Sequence, residues 1–265
     1  MITIGDYSIT SLETIDAFNH LTGAFLFCLD ELQNATIAQT EDKQEITGKQ
    51  GRKITSLKRN KAVTISGTNG MVSGGLMEMQ TGNTFKNGVT TVMWSDYVKV
   101  GAGGTATITY TPVGTAGAEI IGIDFRDPDG MLTGKFTQKA TVSASGEFKY
   151  DSKTITFFKD DVKEGDEIVV YYKRKISADV LENRSDKFSG KCSLYINAMV
   201  EDKCGNIYRA QIYVPKADFN GEFSMEMGDN QTVHNFEAEA LAGSCGNDGL
   251  LWTYTIYGAN ATDVA

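Results

Sequence analysis

The sequence lacks the long apolar runs and the basic leader that direct a chain into or across a membrane. Its longest uninterrupted apolar stretch, residues 24–29 (AFLFCL), has six residues, whereas a membrane-spanning helix needs about 18 or more. The opening sequence MITIGDYSIT contains no lysine or arginine, so we predict no secretory signal. These absences exclude a helical membrane protein and argue against secretion.

Cysteine is scarce and follows no metal-binding pattern. The chain has no CxxC pair and no histidine near a cysteine at zinc-ligand spacing. We therefore expect free thiols in an intracellular protein, rather than a disulfide framework, at all four cysteines: Cys28, Cys192, Cys204 and Cys245.

Positive charge is in deficit. The 25 basic residues face 34 acidic ones, which gives a net charge of −9 and a pI of about 4.8. Such a chain does not hold nucleic acid tightly, because that affinity comes from lysine and arginine neutralising phosphates. The imbalance is strongest in residues 181–265, with 6 basic and 12 acidic residues.

One segment runs against this trend. Residues 49–61 hold six basic residues and no acidic one. They lie either on a solvated loop and strand face or at a contact with an acidic surface, such as that of another copy of the chain. The residues proposed for this subunit contact are Lys49, Arg52, Lys53, Lys58, Arg59 and Lys61.

The two histidines do not sit in a recognisable catalytic frame. His20 ends a segment that we predict to be helical, where a cation suits the helix dipole. His234 could orient Ser244 or Cys245, but those residues lie in a glycine-rich turn without an oxyanion-stabilising signature. We predict no catalytic residue.

The loops that could hold a phosphate or a metal ion match the known binding motifs equally poorly. The glycine-rich stretches at residues 67–75 and 101–105 lack the lysine of a phosphate-binding loop. Asp124, Asp127 and Asp129 precede a glycine, but they lack the spacing and closing glutamate of an EF-hand. The sequence therefore predicts turns at these places, with no cofactor and no metal.

What the sequence does contain favours β structure. Glycine and threonine occur 28 times each and phenylalanine 13 times, against three prolines. β-branched and aromatic residues suit strands, and glycine supplies turns and bulges. We predict a mainly β fold with one or two short helices, at residues 11–20 and 75–80. Strands are predicted at residues 24–30, 34–40, 54–66 and 89–100, with a polar loop at 41–53.

The sequence pattern changes in the middle of the chain. From residue 101 to 177, short strands recur at the eight- to twelve-residue spacing typical of a β-sandwich. We predict an inserted small β-sandwich-like module at 101–177, between the two parts, 1–100 and 178–265, of one discontinuous β domain. The alternative is that this segment only elongates a continuous β domain.

The clearest hairpin joins residues 191–200 to 207–214 across the turn EDKCGN. In the first strand, alternate residues from Cys192 to Val200 are apolar and form a core-like face, whereas the other face is polar. The polar set on this second face is Ser193, Asn197, Glu201, Arg209 and Gln211.

Two stretches carry a resemblance to a known family. Residues 35–70 (ATIAQTEDKQEITGKQGRKITSLKRNKAVTISGTNG) form a strand, a long charged loop and a return strand. Residues 208–241 (YRAQIYVPKADFNGEFSMEMGDNQTVHNFEAEAL) run from a strand through Val-Pro-Lys towards a closing strand. In both, the chain resembles phage major tail tube proteins and the tube proteins of contractile injection systems. The 101–177 segment departs from a minimal tube protein.

The resemblance implies a structural virion protein rather than an enzyme. Such proteins form a tail-tube-like β-sandwich or barrel with long hairpins, which self-assembles into hexameric rings. The rings stack, with other tail proteins, into a conduit for DNA, which passes without specific binding. The resemblance also implies localisation in the virion's tail after assembly in the host cytoplasm, and places the polar set of the 191–214 hairpin on the lumen.

Two other classes fit the residues themselves. A capsid decoration or other virion surface protein would share the acidic, threonine-rich β character. A carbohydrate-binding β-sandwich would use surface aromatic residues, for which the candidates are Trp94, Tyr171, Tyr172 and Trp252.

Overall fold

A computed structural model describes residues 6–126, 132–133, 136–225, 233–242 and 249–258. The first part of the chain forms β1 (Tyr7–Phe18), β2 (Phe25–Leu29), β3 (Leu32–Thr47), a 3-10 turn (Lys49–Gly51), β4 (Lys53–Asn69) and helix α1 (Gly74–Thr81). The middle part forms β5 (Lys86–Lys99), β6 (Thr105–Thr107), β7 (Ile120–Arg126), β8 (Leu132–Thr133), β9 (Thr137–Gln138), β10 (Glu147–Asp151), β11 (Thr154–Phe157) and β12 (Glu167–Val180). The last part forms β13 (Lys191–Asp202), β14 (Ile207–Phe219), β15 (His234–Ala240) and β16 (Thr253–Gly258). The predicted mainly β fold with long hairpins is confirmed.

Residue contacts divide the chain into two compact units. In sequence, the second unit, Lys86–Val180, is inserted between the two parts of the first. The first unit contains an eight-stranded sheet in the order β2-β1-β13-β14-β15-β4-β3, with β16 also paired to β14. Its core combines residues from both parts of the chain, among them Ile15, Ile65, Leu194 and Phe236. Neither part alone could therefore build this core.

The second unit contains two four-stranded sheets, β5-β12-β7-β8 and β6-β11-β10-β9. Both contribute to one core, in which Ile123 and Val170 of the first sheet meet Phe148 and Ile155 of the second. Two sheets packed on a shared core are a β-sandwich, as predicted for this part of the chain. Its strand β5 begins at Lys86, ahead of the predicted boundary at residue 101, and pairs with β12 from Lys86↔Val180 to Lys99↔Glu167. The insertion of a separate module with boundaries at residues 101 and 177 stays a prediction.

A buried tyrosine and a carboxylate hold the second unit together internally. The Tyr172 hydroxyl donates to Asp96 Oδ2 at 3.0 Å and accepts from the backbone N–H of Tyr110. Asp96 also accepts from the N–H and the hydroxyl of Thr109. Burial raises the pKa of Tyr172 to about 12, and the bond to Asp96 adds to the shift. Tyr172 is therefore a core residue and not a surface aromatic residue.

Two local predictions are wrong. Residues 11–20 are not a helix, because β1 pairs with β13 along its length and its Ile15 and Ala17 face the core. β-branched residues around Thr14 suit this extended form. Residues 41–53 are not a loop, because β3 and β4 continue as a paired hairpin to Thr47 and Lys53. Their sequence is mostly polar, as in a loop, because neither face of this part of the hairpin is buried. The second predicted helix is confirmed as α1.

Candidate assembly surfaces

Four strands of the first unit form a sheet with two open edges. The strands β1, β13, β14 and β16 lie side by side in antiparallel pairs. On the outer side of β1, β2 pairs only with Ile15–Phe18, so that residues 8–14 pair with no described strand on that side. On the other side, β16 pairs with β14 and with no further described strand. Open edges of this kind present unpaired N–H and C=O groups that can pair with another chain.

One face of this sheet carries a ladder of polar side chains. The Asn197 amide donates to Thr14 Oγ1 and to Asp16 Oδ2, both at 2.9 Å. The Gln211 amide donates to Asn197 Oδ1 at 2.9 Å. Tyr195 and Tyr213 stack beside the ladder with ring centroids 4.6 Å apart. The side chains of three strands thus hold each other in fixed positions on this face.

The structure brings the five predicted lumen residues onto one hairpin face with different exposures. Asn197, Glu201 and Gln211 are half-buried, and Arg209 is exposed and forms an ion pair with Glu13. Ser193 is only 8% exposed, and its hydroxyl donates to the Pro215 carbonyl. Ser193 is therefore the least accessible of the five. That these residues line a lumen stays a prediction.

A groove of about 500 Å³ opens at the β1–β2 end of the same face. Asp16, Tyr195, Tyr213 and Gln211 line it together with the turn that contains His20. Sequence reasoning missed the contribution of β1 to this face, because β1 was predicted to be a helix. The polar Thr14 and Asp16 alternate with the apolar Ile15 and Ala17, and this alternation was the signal for a strand.

The six predicted contact residues lie on the distal half of the β3–β4 hairpin, residues 41–61, which we call the arm. None of its side chains is buried, and the apolar Ile46, Ile54 and Leu57 are exposed. Within the arm, Lys58 forms an ion pair with Glu41 at 2.7 Å and Lys53 with Glu45 at 2.6 Å. A two-stranded hairpin without a packed face is marginal by itself in water. That the six basic residues of the arm contact another copy of the chain stays a prediction.

His234 has a structural role. It is fully buried, its Nδ1 accepts from the Ser73 N–H, and its Nε2 lies 2.8 Å from Gln80 Oε1. The neutral ring satisfies both contacts, because Nε2–H donates to the amide oxygen while Nδ1 stays free to accept. The suggested partners Ser244 and Cys245 lie outside the described residues. Burial lowers the pKa of His234.

We expect this histidine to make stability depend on pH between about 7.5 and 5.5. In the unfolded chain His234 takes up a proton near pH 6.5, whereas in the folded chain its lowered pKa resists protonation. The unfolded state then binds more protons, so that stability is present above pH 6.5 and is lost as the pH falls. Carboxylates such as Asp202, whose pKa hydrogen bonds lower, contribute only at more acidic pH.

Thermal unfolding of the parent chain and of His234→Gln at pH 7.5, 6.5 and 5.5 measures this effect. The parent's midpoint should fall across this range more steeply than that of the variant. Parallel pH profiles would show that His234 does not carry the dependence.

The remaining candidates offer little chemistry. Cys28, Cys192 and Cys204 are free thiols, and burial raises the pKa of Cys192 to about 12. Cys245 and the predicted turn at 127–130 lie outside the described residues. Within the described ranges, no group of three or more His, Cys, Asp or Glu could hold a metal ion. None of the helices in that part of the chain has the length and apolar character needed to cross a membrane.

The aromatic residues that suggested carbohydrate binding do not form an exposed platform. Tyr172 is fully buried, and Trp94 packs edge-on against Tyr110 at 5.2 Å. The Arg174 guanidinium lies over both Trp94 and Tyr110, as in a cation–π contact. Trp252 packs against the core of the first unit. The carbohydrate alternative therefore loses most of the residues on which it rested.

Comparison with known proteins identifies the family. No curated protein sequence matches the chain. A family model described as the YomU/Tube protein family matches residues 8–250, which include both stretches that suggested a tube protein. The match confirms the resemblance to phage tail tube proteins, which are structural proteins and not enzymes. Membership implies a place in the phage tail and assembly with other tail proteins. The chain belongs to the YomU/Tube protein family.

Proposed function

We propose that the chain assembles into hexameric rings, which stack into the tail tube and conduct DNA during ejection. Assembly takes place in the host cytoplasm, and the finished tube is part of the virion. The observation that carries this proposal is the sheet β1-β13-β14-β16 with an open edge on each side. A head-to-tail contact that joins the β16 edge of one copy to the β1 edge of the next repeats around a ring until it closes. Closure removes both exposed edges.

Four strands from each of six copies give a barrel wide enough for a channel. A barrel of about 24 strands, spaced about 4.8 Å apart and tilted about 40°, has a backbone diameter of about 50 Å. Barrels of 16–18 strands already enclose an aqueous channel. Ring size and sheet width are therefore compatible with a conduit for DNA.

The polar ladder face suits the inside of such a barrel. The opposite face of the same strands carries Ile15, Leu194, Ile196 and Val200, which are buried in the subunit. The ladder face carries amides, hydroxyls and acidic groups, with Arg209 as a basic residue already paired to Glu13. A wall with little free positive charge lets DNA slide, since each phosphate contact by lysine or arginine adds salt-dependent affinity.

Proline substitutions at neighbouring positions of β16 test the edge contact. Successive backbone N–H groups of a strand point to opposite sides of that strand. Of the variants Thr255→Pro and Ile256→Pro, one therefore loses an N–H that bonds to β14. The other loses an N–H that points to the open edge of β16. The variant that loses the outward group should keep the parent's thermal midpoint within a few degrees but fail to form rings in electron micrographs. The other variant should unfold earlier. Thr255→Val is the matched control. Normal rings from the variant with the unchanged midpoint would contradict the edge contact.

A further inference from the structure

We infer that the arm of one copy docks on the outer face of β15, β4 and β3 of another copy. This inference rests on the proposed function, since it assigns a contact within the assembled tube. The outer face, which we call the acidic face, lies at the base of the arm in the first unit. Its residues are Asn34, Thr36, Ala38, Thr64, Ser66, Thr68, Asn235, Glu237 and Glu239.

The acidic face is polar, and the nine residues that define it include no basic residue. Strand pairing aligns its side chains in rows across the three strands, such as Glu237↔Ser66↔Thr36. Alternate residues of β15, including Phe236 and Ala238, point the other way into the core. The face is therefore held rigidly by the core behind it, as a docking surface requires.

The carboxylates of this face have no cationic partner in the part of the copy that the structure describes. Glu237 and Glu239 are exposed, and neither takes part in an ion pair among the described residues. A groove of about 420 Å³ on this face is lined by Glu237 and Glu222 and also by the half-buried Phe223. The face thus offers two features to a partner, unpaired negative charge and an aromatic side chain.

The arm has the complementary features. Residues 41–61 contain seven basic and three acidic residues. At its tip, Lys49 and Arg52 are exposed and form no ion pair within the described ranges. The exposed Ile54, 68% accessible, lies beside them. Basic groups flanking an apolar side chain match carboxylates flanking an aromatic one.

Geometry excludes docking of the arm on the acidic face of its own copy, so that docking on this face needs a second copy. The residue of β4 that pairs with β15 nearest to the arm is Thr64, opposite Glu239. Lys53, at the start of β4, is 11 residues earlier, which at about 3.3 Å per residue places the tip roughly 36 Å beyond that pair. Because β4 is paired with β3 along this length, the tip cannot return to the acidic face of its own copy.

Opposite charge reversals test the contact. One variant carries Glu237→Lys and Glu239→Lys, a second carries Lys49→Glu and Arg52→Glu, and a third combines all four changes. All four side chains are exposed, so that thermal midpoints should stay close to that of the parent. A matched control, Lys173→Glu with Lys175→Glu, reverses two exposed charges at alternate positions of one strand, β12. Pelletable assembly is measured against protein concentration at 50 mM and 1 M salt.

Each two-site variant should need about tenfold more protein than the parent to assemble at 50 mM salt, because like charges then face each other. The combined variant should recover most of this loss, and the difference should shrink at 1 M salt, where screening acts within about 3 Å. The control should assemble like the parent. If the parent forms tubes and the two-site variants do so equally well, or if the combined variant is not rescued, the arm docks elsewhere and the docking inference is wrong. If the parent forms no rings at all, the proposed function itself fails.

Discussion

Removal of the whole second unit, residues 86–180, should leave a folded protein that still assembles. The two ends of the cut are close, because Lys86 and Val180 are paired residues of neighbouring antiparallel strands. Their Cα atoms are then about 5 Å apart, so that a linker of a few glycines can join Phe85 to Leu181. Among the described residues, none of those in the core of the first unit comes from the excised segment. We expect one cooperative unfolding transition and normal rings.

Removal of residues 101–177 alone should have the opposite outcome. It leaves all of β5 but deletes most of its partner β12. The unpaired strand would uncover Trp94 and Val98, which pack against the core of the second unit, and unpaired apolar edges of this kind aggregate. Circular dichroism and size-exclusion chromatography of both deletions measure the contrast. Equal behaviour of the two deletions would show that strand pairing does not define the removable unit.

Single cysteines on the ladder face should become inaccessible to large reagents when the tube forms. Arg209→Cys and Gln211→Cys are made in a background in which Cys28, Cys204 and Cys245 are changed to serine, and Cys192 stays because it is buried. Both thiols should react with a small maleimide and with a protein-sized maleimide in the free subunit. In tubes only the small reagent should react, because the lumen admits it through the open ends.

Val89→Cys is the matched control for this experiment. Val89 is 75% exposed and belongs to the second unit, whereas the ladder belongs to the first. It should react with both reagents in both states. If the ladder cysteines react with the protein-sized reagent in intact tubes, the ladder lies outside and the β3–β4 strands become the candidates for the lumen wall.

Strands with one buried face could be predicted from the sequence, and strands without one could not. The β13–β14 hairpin was found because Cys192, Leu194 and Ile196 alternate with polar residues, as burial on one side demands. Residues 41–53 of the arm were predicted as a loop because neither face of this part is buried, which leaves no apolar period. In β1, Leu12, Ile15 and Phe18 mimicked a helical stripe, and only pairing with a distant strand decides its form.

The candidate surfaces, too, could be predicted only in part from the sequence. The hairpin's polar face followed from alternation, but the ladder also needs Thr14 and Asp16, which lie more than 180 residues away from Asn197 in sequence. The link between His234 and Gln80 spans 154 residues. Such contacts depend on which strands become neighbours, and a local pattern does not specify this.

Cryo-electron microscopy of the purified chain tests the central claim most directly. The account predicts tubes of stacked hexameric rings in which β16 of each copy is hydrogen-bonded to β1 of the next, with Asn197, Arg209 and Gln211 facing the channel. A chain that stays monomeric at every concentration and salt condition, or tubes in which the edges of β1 and β16 remain unpaired, would contradict it.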